Sequence, residues 1–95
     1  MMSRTDALDP GWKPLARPDL VIRSLGREWV LFDPSRKRLH LLDLSGALVW
    51  SCCTGEHDVL GIERELRRAF GDQVEHTARV RDVLADFMGA HLLEG

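Results

Sequence analysis

The residues that could hold a metal or carry out acid–base chemistry are four histidines, and they are widely spaced: His40, His57, His76 and His91. Metal sites often pair histidines as His-x-x-x-His or place a carboxylate at ligand spacing, and neither pattern occurs here. The sequence also lacks a glycine-rich phosphate loop, a nucleophile elbow and the signature of a Cys/His dyad. We therefore expect no bound metal, no cofactor and no enzymatic activity.

The chain has two cysteines, Cys52 and Cys53, and they are adjacent. This spacing is neither that of a disulfide framework nor that of a Cys-x-x-Cys redox or zinc site. Because free cysteine is among the most often buried residue types, we predict two small apolar side chains packed in the core.

The overall charge and hydropathy of the chain exclude several classes of protein. Of its 95 residues, 44% are hydrophobic and 29% charged, as in one folded domain. The 13 basic and 15 acidic side chains give a net charge of -2, so no overall field attracts nucleic acid or an anionic membrane. No apolar run approaches the roughly 20 residues of a membrane span, and the amino terminus lacks the hydrophobic core of a signal peptide. A cytoplasmic protein is predicted.

The first part of the chain reads as an arm. Residues 1–19 show no sustained apolar period, and they contain all but one of the prolines: Pro10, Pro14 and Pro18. Trp12 and Leu15 are candidates for pinning this flexible arm to the rest of the protein. The folded domain is predicted to cover residues 20–95.

A pattern that favours β-structure follows the arm. Residues 20–22 favour a strand, residues 29–32 are apolar on both alternating faces, and residues 39–42 form a third apolar run. Between the second and third runs, residues 33–37 include Asp, Pro and Ser, which suit a tight turn. Residues 20–42 are therefore predicted to form a three-stranded antiparallel meander.

A first helix is predicted after the meander. It covers residues 45–53, begins at a cap provided by Asp43 or Ser45, and stops at Gly55. Trp50 lies within it. Since an indole buries a large area, we predict that Trp50 anchors this helix to the sheet.

Two further helices complete the predicted fold. The second begins at Asp58 and stops at Gly71, with an apolar face of Ile62, Leu66 and Phe70. The third runs from about residue 77 to residue 90, on the apolar stripe of Val80, Val83, Leu84 and Phe87. The predicted fold class is α+β: a three-stranded antiparallel meander followed by three α-helices, similar to a winged helix-turn-helix.

The central segment has a specific pattern. Residues 39–42 read Leu-His-Leu-Leu, and residues 43–50 read Asp-Leu-Ser-Gly-Ala-Leu-Val-Trp. This resembles the PqqD-like family, whose members usually read Leu-Asn/Asp-x-x-Gly-Ala-x-Ile/Val-Trp there. The resemblance extends over residues 14–93, and its most characteristic positions are Gly46, Ala47 and Trp50. Departures from the family pattern occur at Cys52, Cys53 and Gly61.

The resemblance implies the role of a RiPP recognition element, which binds the leader of a ribosomally made precursor peptide. Such a domain presents the peptide to a modifying enzyme; in the founding case this is a radical S-adenosylmethionine enzyme that acts on a precursor of pyrroloquinoline quinone. Related domains serve lasso peptides and sactipeptides. The expected partners are therefore a precursor leader and a radical enzyme, a cyclase or a peptidase, with no nucleic acid and no membrane.

The resemblance also implies a location for the leader, as a strand added to the edge of the third strand, with the third helix as the other wall. A meander leaves that edge with unpaired backbone groups that can template another chain. Three to five new hydrogen bonds supply roughly 3 to 5 kcal/mol, whereas a micromolar complex needs about 8 kcal/mol. Apolar contacts must supply the difference. The predicted peptide-binding residues are Arg38, Leu39, His40, Leu41, Leu42, Arg79, Val80, Val83, Leu84 and Phe87.

Two kinds of side chain in this set have other interpretations. Arg38 and Arg79, like Lys37 and Arg81 beside them, could form charge-assisted bonds with acidic leader side chains, or they could be solvated surface charges. The apolar residues of the third helix could line a groove or belong to the core, because an apolar helical stripe most often faces the interior.

Other functions are compatible with the same pattern. A winged helix could bind DNA through Arg64, Arg67, Arg68, Arg79 and Arg81, although Glu63 and Glu65 interleave with these arginines. The chain could also be a protein-interaction subunit of a kinase-related system that has no precursor peptide. An exposed strand edge and a hinge near Gly55 would also permit a homodimer.

Overall fold

The computed structural model describes residues 11–71 and 74–94 of the chain. Its sheet has three antiparallel strands in the order β1-β2-β3, where β1 is Val21–Leu25, β2 is Glu28–Asp33 and β3 is Arg38–Leu42. Three helices follow: α1 is Leu44–Ser51, α2 is Val59–Phe70 and α3 is Val74–Gly89. The predicted α+β class, with a meander followed by three helices, is confirmed.

A tight hairpin turn sets the register of β1 against β2. Gly26 and Arg27 form the turn, and Leu25 pairs with Glu28 on either side of it. Gly26 has a φ of 62°, which glycine adopts at little cost and which matches the first central position of a type II′ turn. The glycine therefore permits the shortest connection that keeps the strand twist.

Alternation along the strands gives the sheet one buried face and one open face. Leu31 of β2 and Leu42 of β3 lie on the side of the helices and are buried. On the other side, Phe32 pairs with Leu39, and both side chains are exposed, as is Leu41 of β3. The described helices therefore cover only one face of the sheet.

Both α1 and α2 begin at an aspartate that caps the helix. Asp43 accepts a hydrogen bond from the Gly46 N–H at 2.8 Å, and Asp58 accepts one from the Gly61 N–H at 2.8 Å. A Cβ at Gly61 would lie 3.2 Å from the Asp58 carboxylate, so glycine leaves room for this cap. As predicted, α2 ends at Gly71, whose φ is 74°.

The third helix begins earlier in the chain than predicted, at Val74, and is followed by a left-handed residue, His91, with a φ of 61°. The His91 N–H donates to the Met88 carbonyl at 3.0 Å, and the Leu92 N–H donates to the Phe87 carbonyl at 2.9 Å. This is a Schellman ending, in which glycine usually occupies the left-handed position. The turn directs Leu92 back into the core, where it is 1% exposed.

The core lies between the inner face of the sheet and the three helices. Cys52 and Cys53 belong to it and are free thiols, as predicted. Trp50 is half-buried, and its ring meets Phe87 of α3 edge to face, with ring centroids 5.5 Å apart. This partner lies on α3, and the predicted anchoring of α1 to the sheet by Trp50 stays a prediction.

Both cysteines are expected to resist alkylation in the folded protein. Burial raises the pKa of the Cys53 thiol to about 12 and also raises the pKa of Cys52. The thiolate is the nucleophile, and at pH 8 only about one Cys53 thiol in ten thousand would be ionised. We expect iodoacetamide to modify both residues only after unfolding, as followed by mass spectrometry. Rapid alkylation of the native protein would contradict their burial.

The chain before β1 passes between two other parts of the protein. The backbone of residues 14–17 forms hydrogen bonds on one side with Cys53 at 2.8 Å and Gly55 at 2.9 Å. On the other side it bonds with Leu92 at 3.0 Å and Glu94 at 2.7 Å. This extended segment therefore joins the α1–α2 connection to the residues after α3.

The predicted pinning residues lie on or beside this segment. Trp12 packs against the core, and Leu15 forms a β-bridge with Thr54. Pro10 and the rest of residues 1–10 are outside the described residues. The division into an arm of residues 1–19 and a domain of residues 20–95 stays a prediction.

A partly buried ion pair attaches the same segment to the turn between β2 and β3. Arg17 donates from Nη1 to Asp33 Oδ2 at 3.1 Å and from Nη2 to Asp33 Oδ1 at 3.2 Å. Arg17 Nη1 also donates to the His91 carbonyl at 2.7 Å. Asp33 is fully buried, and its Oδ1 accepts the Ser35 N–H at 3.0 Å, as the turn chemistry predicted. Arg17 thus links the first described segment, the turn and the end of α3.

Candidate functional site

The hairpin geometry determines which backbone groups of β3 are free. In a two-residue hairpin, the residues that flank the turn form a hydrogen-bonded pair, here Leu25 and Glu28. The backbone N–H and C=O groups of successive residues in a strand point to opposite sides. Glu28, Val30 and Phe32 of β2 therefore bond to β1. Leu31 lies between two of these residues, so it bonds to β3, where its partner is His40.

The open edge of β3 therefore belongs to the two neighbours of His40. Leu39 and Leu41 direct their N–H and C=O groups away from β2, and no described strand pairs with them. Together they offer two hydrogen-bond donors and two acceptors to an added strand. This is the edge that the sequence predicted, narrowed to two residues.

A groove of about 400 Å³ lies between β3 and α3. The two elements run antiparallel. Arg79 near the start of α3 bonds to Asp43 just after β3, and Arg17 joins His91, just after α3, to Asp33, the strand partner of Arg38 at the start of β3. The apolar part of the groove lining consists of Leu41, Leu42, Val83, Phe87, Ala90 and Leu92. An extended segment in this groove would have β3 on one side and an apolar helix face on the other.

The polar part of the lining is Glu28, His40, Asp43, Arg79 and Asp86. Arg79 Nη1 lies 3.3 Å from Asp43 Oδ2, so this pair neutralises itself. The Nε2 atom of His40 is buried and has no hydrogen-bond partner among the described residues. Glu28 and Asp86 also form no ion pair with a described residue, so the unpaired charge of the groove is negative.

Asp43 has two roles at one end of the groove. The hydrogen bond from the Gly46 N–H outweighs the effect of burial and holds the pKa of Asp43 below its ordinary value, helped by Ser45 and Arg79. Gly46 lines the groove as well, and a Cβ there would lie 3.3 Å from Asp43 Oδ1 and 3.5 Å from the Leu42 side chain. The glycine therefore lets α1 start close against β3.

The structure brings together part of the predicted peptide-binding set. The members that line the groove are His40, Leu41, Leu42, Arg79, Val83 and Phe87. Leu39 and Arg38 lie on β3 with exposed side chains, and Leu39 points to the open face of the sheet. Val80 and Leu84 are fully buried in the core, because they lie on the side of α3 that faces the other helices rather than the groove.

Sequence reasoning missed several groove residues. Asp86 lies two helical turns after Arg79, and Ala90 lies two turns after Val83. This spacing places them on the same side of α3 as the predicted residues, but the prediction considered only the apolar stripe. Glu28 also lines the groove, although it shares the open face of β2 with Phe32, and no local pattern in the sequence marks it.

The arginines of the DNA-binding alternative are partly engaged with acidic residues. Arg79 pairs with Asp43, Arg81 Nε lies 3.6 Å from Glu63 Oε2, and Arg68 Nη1 lies 3.7 Å from Glu65 Oε2. Each of these pairs reduces the positive charge that phosphate groups would require.

Within the described part of the chain, no group of three or more His, Cys, Asp or Glu side chains is placed to hold a metal ion. None of the helices in residues 11–71 and 74–94 is both long enough and apolar enough to cross a bilayer.

A three-stranded sheet with an open edge, a helix-walled groove beside it and three helices on one face defines a small winged-helix-like α+β domain. The chain belongs to the PqqD family, because the family model described as coenzyme PQQ synthesis protein D (PqqD) matches residues 28–93. The family resemblance is thereby confirmed.

The chain has the fold of a solved structure described as TbiB1 in complex with the TbiA(beta) leader peptide, with a TM-score of 0.69 and 22% sequence identity. The alignment covers 85% of this chain and 95% of that one. The comparison with curated proteins found no match.

Proposed function

We propose that this chain binds the leader of a ribosomally made precursor peptide as an added strand on β3 and presents the peptide to a modifying enzyme. It catalyses no reaction itself. The observation that carries the proposal is the open edge at Leu39 and Leu41, beside a groove between β3 and α3. Membership of the PqqD family supports it, and so does a structure of the same fold that is a complex with a leader peptide.

The energetics of the site fit this role. Four edge hydrogen bonds at about 1 kcal/mol each contribute roughly half of the 8 kcal/mol of a micromolar complex. The remaining half requires the burial of about 160 Å² of apolar surface. One aromatic or two aliphatic leader side chains provide that area, and the lining around Val83 and Phe87 can receive them.

The proposed partners follow from the way the leader is held. Strand addition uses the backbone of one leader segment, so the rest of the precursor stays accessible to an enzyme. That enzyme is a radical S-adenosylmethionine enzyme, a cyclase or a peptidase. A homodimer formed through the β3 edge would occupy the same backbone groups and would compete with the leader.

Backbone NMR with a synthetic peptide copied from the leader of the cognate precursor tests the proposal. At saturating peptide we expect the largest amide shifts at Leu39 and Leu41 and at groove residues of α3, because these groups gain a neighbour. The amides of Ile22 and Ser24, at the opposite edge of the sheet, serve as the internal control. Binding that leaves Leu39 and Leu41 unmoved would contradict strand addition at β3.

A further inference from the structure

We propose that the strand received by the groove carries an arginine or a lysine on its inward face, and that Asp86 and His40 recognise this cation. The inference rests on the proposed function and adds the chemical class of the ligand. It differs from one of the two interpretations of the sequence, in which Arg38 and Arg79 could meet acidic leader side chains.

The first argument is the charge of the groove. Its lining contains three carboxylates and one arginine, and that arginine is already paired with Asp43 at 3.3 Å. Glu28 and Asp86 line the groove, are exposed, and form no ion pair among the described residues. A cation that reaches either carboxylate gains charge-assisted hydrogen bonds, whereas an acidic side chain would meet a like charge.

The second argument is the direction of the side chains. Residues directly opposite each other in neighbouring strands point to the same face of the sheet. The residue of an added strand that lies opposite His40 therefore points inward with it, toward the α3 residues that line the groove. Its nearest neighbours on the added strand point to the open face, beside Leu39 and Leu41. One inward position is thus placed to meet His40 and Asp86.

The third argument is the unsatisfied nitrogen. The Nε2 atom of His40 is buried without a partner among the described residues, and leaving such an atom unpaired is costly. In a neutral imidazole protonated at Nδ1, Nε2 accepts a hydrogen bond. A guanidinium has five N–H donors and no acceptor, so it can donate to His40 and to a carboxylate together.

Selection from a phage-displayed library of random short peptides tests the inference without knowledge of the natural leader. Wild-type protein should enrich peptides with alternating apolar residues and an arginine or lysine at one inward position. The double variant Glu28→Gln/Asp86→Asn should still enrich the apolar pattern but lose the basic preference. Asp82→Asn, at an exposed aspartate of α3 outside the groove lining, is the matched control and should select like the wild type.

Calorimetry then measures the size of the effect with one selected peptide. Replacing its inward arginine with the neutral isostere citrulline should weaken binding to the wild type by about five- to tenfold. The same change should alter binding to the double variant by less than about twofold. Enrichment of apolar peptides with no basic preference, or a citrulline effect equal in both proteins, would overturn the inference and leave the proposed function standing. Enrichment of no peptide at all would overturn both.

Discussion

Replacing Arg17 with methionine is expected to lower the Tm by roughly 10 °C or more, because the change removes the main partner of a buried carboxylate and leaves Arg36 Nε, at 3.9 Å, as its nearest cation. Asp33 is fully buried, and Arg17 contacts both of its carboxylate oxygens, at 3.1 and 3.2 Å. The same guanidinium donates to the His91 carbonyl and to Asp19. Circular dichroism melts at neutral pH measure the effect. Arg23→Met, at an exposed β1 arginine with no ion pair among the described residues, is the matched control and should change the Tm little.

The pH dependence of this loss identifies the charge as its cause. Burial alone would raise the pKa of Asp33, but hydrogen bonds from Arg17 and from the backbone N–H groups of Arg36 and Ser35 outweigh burial and lower it. A carboxyl group with a lowered pKa stabilises the fold above its unfolded pKa, near 4, and loses that contribution as pH falls through the folded value. The difference between wild type and Arg17→Met should therefore be largest at neutral pH and shrink in acid. A difference that stays constant down to about pH 3 would indicate lost packing instead.

Replacing Leu41 with proline is expected to weaken leader binding by more than about tenfold while the fold is retained. The Leu41 N–H points to the open edge and forms no bond with β2, so proline removes a donor only from the binding edge. Proline is tolerated in edge strands where the N–H faces solvent. The added ring also obstructs the approach of another strand. Calorimetry with the leader or a selected peptide measures the loss, and Leu41→Thr separates the side chain from the backbone.

The opposite edge of the sheet supplies the matched control. Ile22 of β1 is opposite Leu31, so by the same alternation its N–H points away from β2, toward the free side of β1. Ile22→Pro removes an outward-pointing N–H from that edge, as Leu41→Pro does from β3. This variant should bind the peptide as tightly as the wild type. Equal weakening by Ile22→Pro and Leu41→Pro would mean that the peptide does not use β3 specifically.

Much of the architecture could be predicted because its signals are local. The apolar runs and the Asp-Pro-Ser turn predicted the meander, and Asp58 and Gly71 predicted the limits of α2. Capping and turn chemistry act between residues a few positions apart, so they can be read directly from the chain. The central Gly46–Ala47–Trp50 pattern likewise predicted the family, which the match over residues 28–93 confirms.

The groove face of α3 could not be read in this way. Val80, Val83, Leu84 and Phe87 form one continuous apolar stripe, and periodicity treats its members alike. Packing against the other helices buries Val80 and Leu84 completely, while Val83 and Phe87 turn one side to the groove. The rotation of a helix about its axis depends on its neighbours, so only the tertiary structure could divide the stripe.

The sequence by itself determined a small meander-and-helix domain of the PqqD type with an open third strand. Only the tertiary structure decided the charge of the site: it pairs Arg79 with Asp43 and leaves Asp86 and Glu28 unpaired at the groove. It also decided that Arg17 and Asp33 meet in the interior. Arg79 and Asp43 are 36 positions apart, and Arg17 and Asp33 are 16 apart. The physical reason is that the interaction between two charges depends on their distance in space. For residues far apart in the sequence, that distance is set by the tertiary structure and not by any local pattern.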